Sequence, residues 1–179
     1  MYKNRIYKLF DILKTKKKSA LGIFITAGDP NIEVSQKILD GLPSNGADFI
    51  ELGMPFSDPM ADGPAIQASS LRALKNRIDL SKTLLMFEKY KKKNANTPII
   101  LMGYFNPIFR YGVKEFILES QKAGVDGFII VDLPPEEDRE FYVPLQKSKM
   151  DLIRLIAPTT DSKRLSLILE KSSGFIYYV

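Results

Sequence analysis

Ala47-Asp-Phe-Ile-Glu51-Leu-Gly-Met-Pro55-Phe-Ser-Asp58-Pro59-Met-Ala-Asp62-Gly-Pro64-Ala-Ile-Gln67 decides how this chain is read. Its first residues, 47–50, are apolar enough for a short buried strand, which puts Glu51 at that strand's carboxyl end. Pro55, Pro59 and Pro64 then exclude a helix or a central strand from the next dozen positions. The strand therefore opens into a long, stiffened loop carrying Ser57, Asp58 and Asp62. Loops of this length without secondary structure are either functional or disordered. Three prolines and a strand at its root argue for function.

Similar apolar, β-branched runs recur at Leu21–Thr26, Phe49–Leu52, Pro98–Met102, Gly127–Val131, Asp151–Ala157 and Gly174–Val179. Most are apolar throughout rather than alternating, as expected of parallel strands covered on both faces. Between them lie helical patterns. Residues 31–42 place Ile32, Val34, Ile38, Leu39 and Leu42 on one face. Residues 80–93 do so with Leu80, Leu84, Leu85 and Phe87, and 113–122 with Val113, Phe116 and Ile117. Residues 161–171 bury Leu165, Ile168 and Leu169, and a further helix is expected over 64–75. Residues 3–16 form an amphipathic helix with Ile6, Leu9, Phe10 and Leu13 on one stripe, suited to capping the bottom of a barrel.

Alternating β and α segments imply a parallel α/β fold with right-handed crossovers. The expectation is a (β/α)₈ TIM barrel with an N-terminal capping helix, of which the first six strands are present. Residues 1–179 would be one domain, cut after strand 6, since a closed barrel typically needs about 250 residues. A complete six-stranded doubly wound sheet is the competing architecture. A chain ending at Val179 is expected neither to close a barrel nor to turn over substrate.

Composition narrows the chemistry. The 179 residues contain no Cys and no His. Disulfides, thiolate or imidazole metal sites and His-based nucleophilic catalysis are therefore impossible within this chain. Acid–base work falls to Asp, Glu, Lys or Tyr. No strand contains a Lys, which disfavours a Schiff base. The net charge of +5 comes in short runs such as Lys16–Lys18 and Lys91–Lys93, read as solvated helix ends rather than a nucleic-acid surface. No apolar run is long enough to span a membrane, no secretory signal is visible, and a cytoplasmic setting is expected. Neither a dinucleotide nor a P-loop motif occurs.

In a (β/α)₈ barrel the catalytic groups gather where strands end at their carboxyl termini. That rule selects Asp29, Glu51 with the loop to Asp62, Tyr104 with Asn106, Asp132 with Pro134, Thr160 and Tyr177. Each has a structural alternative. Asp29 suits a turn or helix N-cap, Tyr104 and Asn106 suit a turn before Pro107, and Asp132 suits an N-cap for a helix beginning near Pro135. Glu51 suits a salt bridge and Tyr177 a place in the core. Paired carboxylates at one mouth suggest general acid–base chemistry, with one acid held protonated by apolar surroundings. A divalent cation on Asp58, Asp62, Asp132 and Glu51 is the alternative.

The 51–67 run resembles the signature of the tryptophan synthase alpha chain family. Phe24-Ile-Thr-Ala-Gly-Asp-Pro30, Met102-Gly-Tyr-Phe-Asn-Pro-Ile-Phe109, Gly124-Val-Asp-Gly-Phe-Ile-Ile-Val-Asp-Leu-Pro134 and Ala157-Pro-Thr-Thr160 match it in the same order. The match is to the first two-thirds of that family's chain. The resemblance implies cleavage of indole-3-glycerol phosphate to indole and glyceraldehyde 3-phosphate. It implies a β-subunit partner in an α2β2 heterotetramer that receives the indole, with pyridoxal phosphate belonging to that partner and no cofactor or metal in this chain. Carried over by position, Glu51 shuttles protons, Asp62 accepts the indole N–H, and Tyr177 stands beside the catalytic Glu. Phe24, Met102 and Ile129 form the apolar pocket for the ring, and Asp58, Asn106 and Pro134 meet the β subunit. The family's phosphate site and flexible loop lie beyond these residues. Rival readings are another phosphate-binding barrel enzyme acting on a sugar phosphate, or a non-catalytic subunit that only activates a partner.

Overall fold

A computed structural model describes residues 4–179. The six apolar runs form β1 (Gly22–Thr26), β2 (Phe49–Gly53), β3 (Ile99–Gly103), β4 (Gly127–Ile130), β5 (Asp151–Ile156) and β6 (Ile176–Tyr178). All neighbours are parallel and their order in the sheet is the order of the chain. A doubly wound sheet would reverse direction at a switch point. The sequential order settles the architecture as the six-stranded wall of a TIM barrel.

Helices cover the outside of that wall. They are α2 (Ile32–Gly41), α3 (Pro64–Lys75), α4 (Leu80–Lys93), α5 (Phe105–Tyr111), α6 (Val113–Ala123), α7 (Arg139–Leu145) and α8 (Ser162–Glu170), preceded by α1 (Arg5–Thr15). Their starts are set by capping chemistry. Asn4, Asn31, Asp79 and Asp161 each accept a backbone N–H three residues on, and α3 begins with Pro64 at its first position, where no N–H is needed. Residue 3, included in the expected first helix, lies outside the described residues.

Several sequence expectations are corrected. Asn31, not Asp29, caps α2. Val34, Ile38, Leu85 and Leu169 are exposed rather than buried. On α2 the inward positions are Ser35 and Leu39, and on α4 Thr83 is fully buried. Both hydroxyls are satisfied in the interior: Ser35 Oγ accepts the Gly28 N–H at 2.9 Å and Thr83 donates to Asp79 O at 2.9 Å. A hydroxyl with a partner is no obstacle to burial, but an apolar pattern passes over it. The helix expected near Pro135 starts at Arg139, and α5 replaces an expected turn.

Two apolar layers result, one on each side of the wall. Alternate strand residues such as Ile50, Leu52, Leu101 and Phe128 pack outward against the helices. Their neighbours Phe49, Ile100, Ile129 and Ile153 face inward, joined by Ile6, Leu9 and Phe10 of α1. Phe10, Phe49 and Phe175 form a three-ring cluster with centroids 5.4–6.3 Å apart. The helix expected as a bottom cap thus fills the base of the barrel.

That cap is also fastened electrostatically. Asp126, 3% exposed in its side chain, accepts from Arg5 Nε at 2.5 Å, Lys91 Nζ at 3.0 Å and the Ile99 N–H at 2.9 Å. Arg5 further donates to the carbonyls of Ala95 and Gly124. Lys91, expected as a solvated helix end, is therefore largely buried; desolvation pushes its pKa down to about 8 against the opposing pull of Asp126. Replacing Asp126 by Ala would leave that ammonium without its counter-charge. We expect a loss of about 3–5 kcal/mol in urea unfolding, and a midpoint equal to wild type would show that the network is dispensable.

Candidate active site

Glu51 is the third residue of β2, paired laterally with Phe24 of β1 and Ile100 of β3. Strand alternation sends its side chain inward with Phe49, and it is only 5% exposed. No cation or hydrogen-bond donor reaches its carboxyl group among the described residues. Burial alone pushes its pKa up to about 7. A salt-bridge role for Glu51 is thereby excluded here.

The loop after β2 runs without regular structure from Met54 to Gly63, as its prolines require. Asp62 stands near its end, half-buried, in a cleft lined by Phe24, Gly53, Met54, Met102, Tyr104 and Val131. Burial pushes its pKa up, and a contact with the Tyr104 hydroxyl pulls it back. The floor beside it is polar: Thr26 Oγ1 and Ser69 Oγ share a hydrogen bond of 2.6 Å. Gly53 is needed for the cleft's shape, because a Cβ there would come within 2.6 Å of the Phe24 ring.

Of the other singled-out residues, Phe24 and Met102 line the Asp62 cleft. Ile129, the lateral partner of Met102, is fully buried in the inner layer below it. Val131, two residues on, is the β4-side residue at the cleft. Tyr177 lies on β6 in the same inner layer. Its phenol pKa is raised first by burial and then by the charge of Glu51.

The outer rim holds the rest. Asp58 is exposed and accepts from the Ser57 hydroxyl. Asn106 is exposed in the first turn of α5 and shares a surface groove with Pro55, Phe56 and Ser57. Pro134 lies in a different groove, with Asp132, Arg154 and Thr160. Asp29 forms a two-pronged ion pair with Arg72 of α3, at 2.6 and 2.9 Å. Thr160 Oγ1 accepts the Ala157 N–H at 3.0 Å. Asp132 caps neither its own turn nor α7; it accepts the Phe105 N–H at 2.8 Å, capping α5.

Two positions carry more than sequence reasoning assigns. Tyr104 suits a turn by sequence, yet its hydroxyl meets the acid loop. Arg154, buried on β5, pairs with Asp138 and donates to Leu133 O at 2.8 Å, which fixes the turn containing Pro134. The strand-end rule already marks Tyr104, whereas a lone Arg in an apolar strand signals burial but not its partner. The mouth therefore presents an unpaired carboxyl group whose pKa burial raises to about 7, and a second acid in a cleft with both apolar and polar walls. Among the described residues no three acidic side chains gather closely enough to hold a metal ion.

The family model for the tryptophan synthase alpha chain matches residues 10–179. Tryptophan synthase subunit alpha from Legionella pneumophila is 44% identical, with a TM-score of 0.96 over 98% of this chain and 67% of that one. Tryptophan synthase from Mycobacterium tuberculosis is 32% identical, with a TM-score of 0.93 over 98% and 67%. The α2β2 tryptophan synthase complex from Pyrococcus furiosus matches at 40% identity and a TM-score of 0.84, over 89% of this chain and 64% of that one. The chain thus spans about two thirds of the length of these relatives. A family match that takes in all six strands, the acid loop and the barrel order places this chain in the tryptophan synthase alpha chain family.

Proposed function

We propose that this chain carries the acid–base half of an indole-3-glycerol phosphate lyase, releasing indole and glyceraldehyde 3-phosphate. The observation that supports it most is Glu51, buried without a partner and titrating at about 7 at the mouth of the barrel. A group that must give and take protons works best when its pKa lies near the working pH.

The reaction needs no external electron sink. A proton delivered to indole C3 makes the ring an iminium-like leaving group, with positive charge shared by the ring nitrogen. Glu51 supplies that proton in its neutral form. As the bond from C3 to the side chain breaks, its electrons return to the ring, and the adjacent hydroxyl loses its proton to the carboxylate just formed. The carbinol carbon leaves as an aldehyde, and Glu51 ends as it began. Asp62 accepts the ring N–H and offsets the charge that develops there. Phe24 and Met102 supply apolar walls for a flat ring, and Ile129 supports them from below.

The partner reading rests on the family and on the α2β2 assembly of the Pyrococcus furiosus relative. A β subunit would take the indole, with pyridoxal phosphate residing in that partner, and Asp58, Asn106 and Pro134 are the rim residues offered to it. A cytoplasmic setting goes with this reading.

In the α2β2 complex, Glu51→Gln and Asp62→Asn should each lower indole formation by about 10²–10⁴-fold. Near-normal turnover by either variant would overturn the assignment. The same carboxyl group makes a prediction about stability. Its folded pKa of about 7 exceeds the ordinary 4.5, so the folded state holds the proton more tightly. Stability from this group is fully present below pH 4.5 and is lost as pH rises through 7. Glu51→Gln should therefore unfold later than wild type at pH 8, by up to about 3 kcal/mol, with the difference vanishing toward pH 4.5. An equal difference at both pH values would contradict the burial effect.

A further inference from the structure

We propose that Tyr104 is a positioning residue for Asp62: its phenol clamps the acid-bearing loop near both ends, and Asp132 fixes the backbone directly after it. This role rests on the lyase reading above and assigns the side chain that holds one of its two acids in place.

Tyr104 comes directly after β3, with extended backbone, as the N-cap residue of α5 and is 3% exposed. Its ring packs on Phe56 with centroids 5.3 Å apart. Its hydroxyl oxygen accepts the Ala61 N–H at 3.0 Å. Phe56 and Ala61 flank the stretch 57–60, so one phenol bridges the exposed part of the loop. Among the described residues, Ala61 carries the sole backbone N–H between Pro55 and Asp62 that finds a protein acceptor. Prolines stiffen the loop but do not tell it where to sit; this bond does.

That bond also fixes the direction of donation. A hydroxyl oxygen that accepts from Ala61 keeps its own proton for a neighbouring acid, and Asp62 lines the same cleft as Tyr104. The phenol pulls the Asp62 pKa back against the rise that burial causes, and so favours the ionised form needed to accept an N–H. The tyrosine is held from behind. Asp132 Oδ1 accepts the Phe105 N–H, one of the unpaired donors at the start of α5. Gly103 gives Met54 room beneath, since a Cβ there would lie 2.9 Å from the Met54 methyl. The ends of β2, β3 and β4 are thereby tied together through one aromatic side chain.

Tyr104→Phe, made in the α2β2 complex, keeps the ring contact with Phe56 and deletes only the hydroxyl. Amide hydrogen exchange over residues 56–62 should speed up. Turnover should fall on the order of 10²-fold, with KM moving much less than kcat. The acid limb of the pH–rate profile should shift to higher pH, because the Asp62 carboxylate loses a donor. In an Asp62→Asn background the same change should cost almost nothing further, whereas a purely structural role would still cost. Asp132→Ala should reproduce these effects in smaller measure, and Asp132→Asn, which keeps an acceptor oxygen, should recover much of the loss. Unchanged exchange and an unchanged pH profile in Tyr104→Phe, with Glu51→Gln and Asp62→Asn inactive, would overturn the positioning role and leave the lyase reading standing. Full turnover by Asp62→Asn would overturn both.

Discussion

The site depends on the wall being curved, and the curvature is visible in a single contact. In a flat sheet β2 and β6, four places apart, would be separated by about 19 Å. Here Phe49 of β2 and Phe175 at the foot of β6 meet at 5.4 Å, with Phe10 of α1 wedged against both. Bending the sheet around that apolar cluster carries Tyr177 to where it senses Glu51. It also turns six strand ends toward one mouth. A planar arrangement of the same elements would leave the acids on a line, each open to water.

Two carboxyl groups show how differently the barrel treats its ends. Asp126 and Glu51 are almost equally buried, at 4% and 5% exposure. At the bottom, Asp126 receives two cations and a backbone N–H. At the top, Glu51 receives nothing, and its burial shows as a raised pKa. Leaving a buried acid unpaired costs stability, and the surrounding packing sustains that cost only where it is of use. Asp62 is less buried than either, and the rise in its pKa that burial causes is opposed by one phenol.

The acid loop can be read from sequence because its signal is local. Three prolines exclude regular structure, and the apolar run around Glu51 marks a strand, although β2 continues to Gly53 and Glu51 is its middle residue rather than its end. The helix caps at Asp79 and Asp161 are legible for the same reason, whereas the cap of α2 falls on Asn31, two residues past the expected Asp29. Features completed from elsewhere in the chain escape such reading. The helix α5 is seven residues long with Pro107 in its first turn, too short for a period, and its cap comes from Asp132, 27 residues downstream. Lys91 reads as one of three solvated lysines until Asp126 is brought to it. Tyr104 stands in a run that looks like a turn, and its partners on the β2 loop appear only once β2 and β3 are paired. Ser35 and Thr83 hide the inward faces of their helices, because their hydrogen bonds cannot be inferred from an apolar scale.

The seat of α1 has a temporal consequence. Arg5 is held by groups at residues 95, 124 and 126, and the Asn4 side chain donates to Asp151. Synthesised ahead of the wall, α1 therefore has no complete binding place until β5 has been made and added to it. Contacts of such long sequence separation form late, since closing the chain between them costs entropy. Until then the stripe of Ile6, Leu9, Phe10 and Leu13 has water for a neighbour. The helix that opens the sequence is the one whose docking records that the wall behind it is in place.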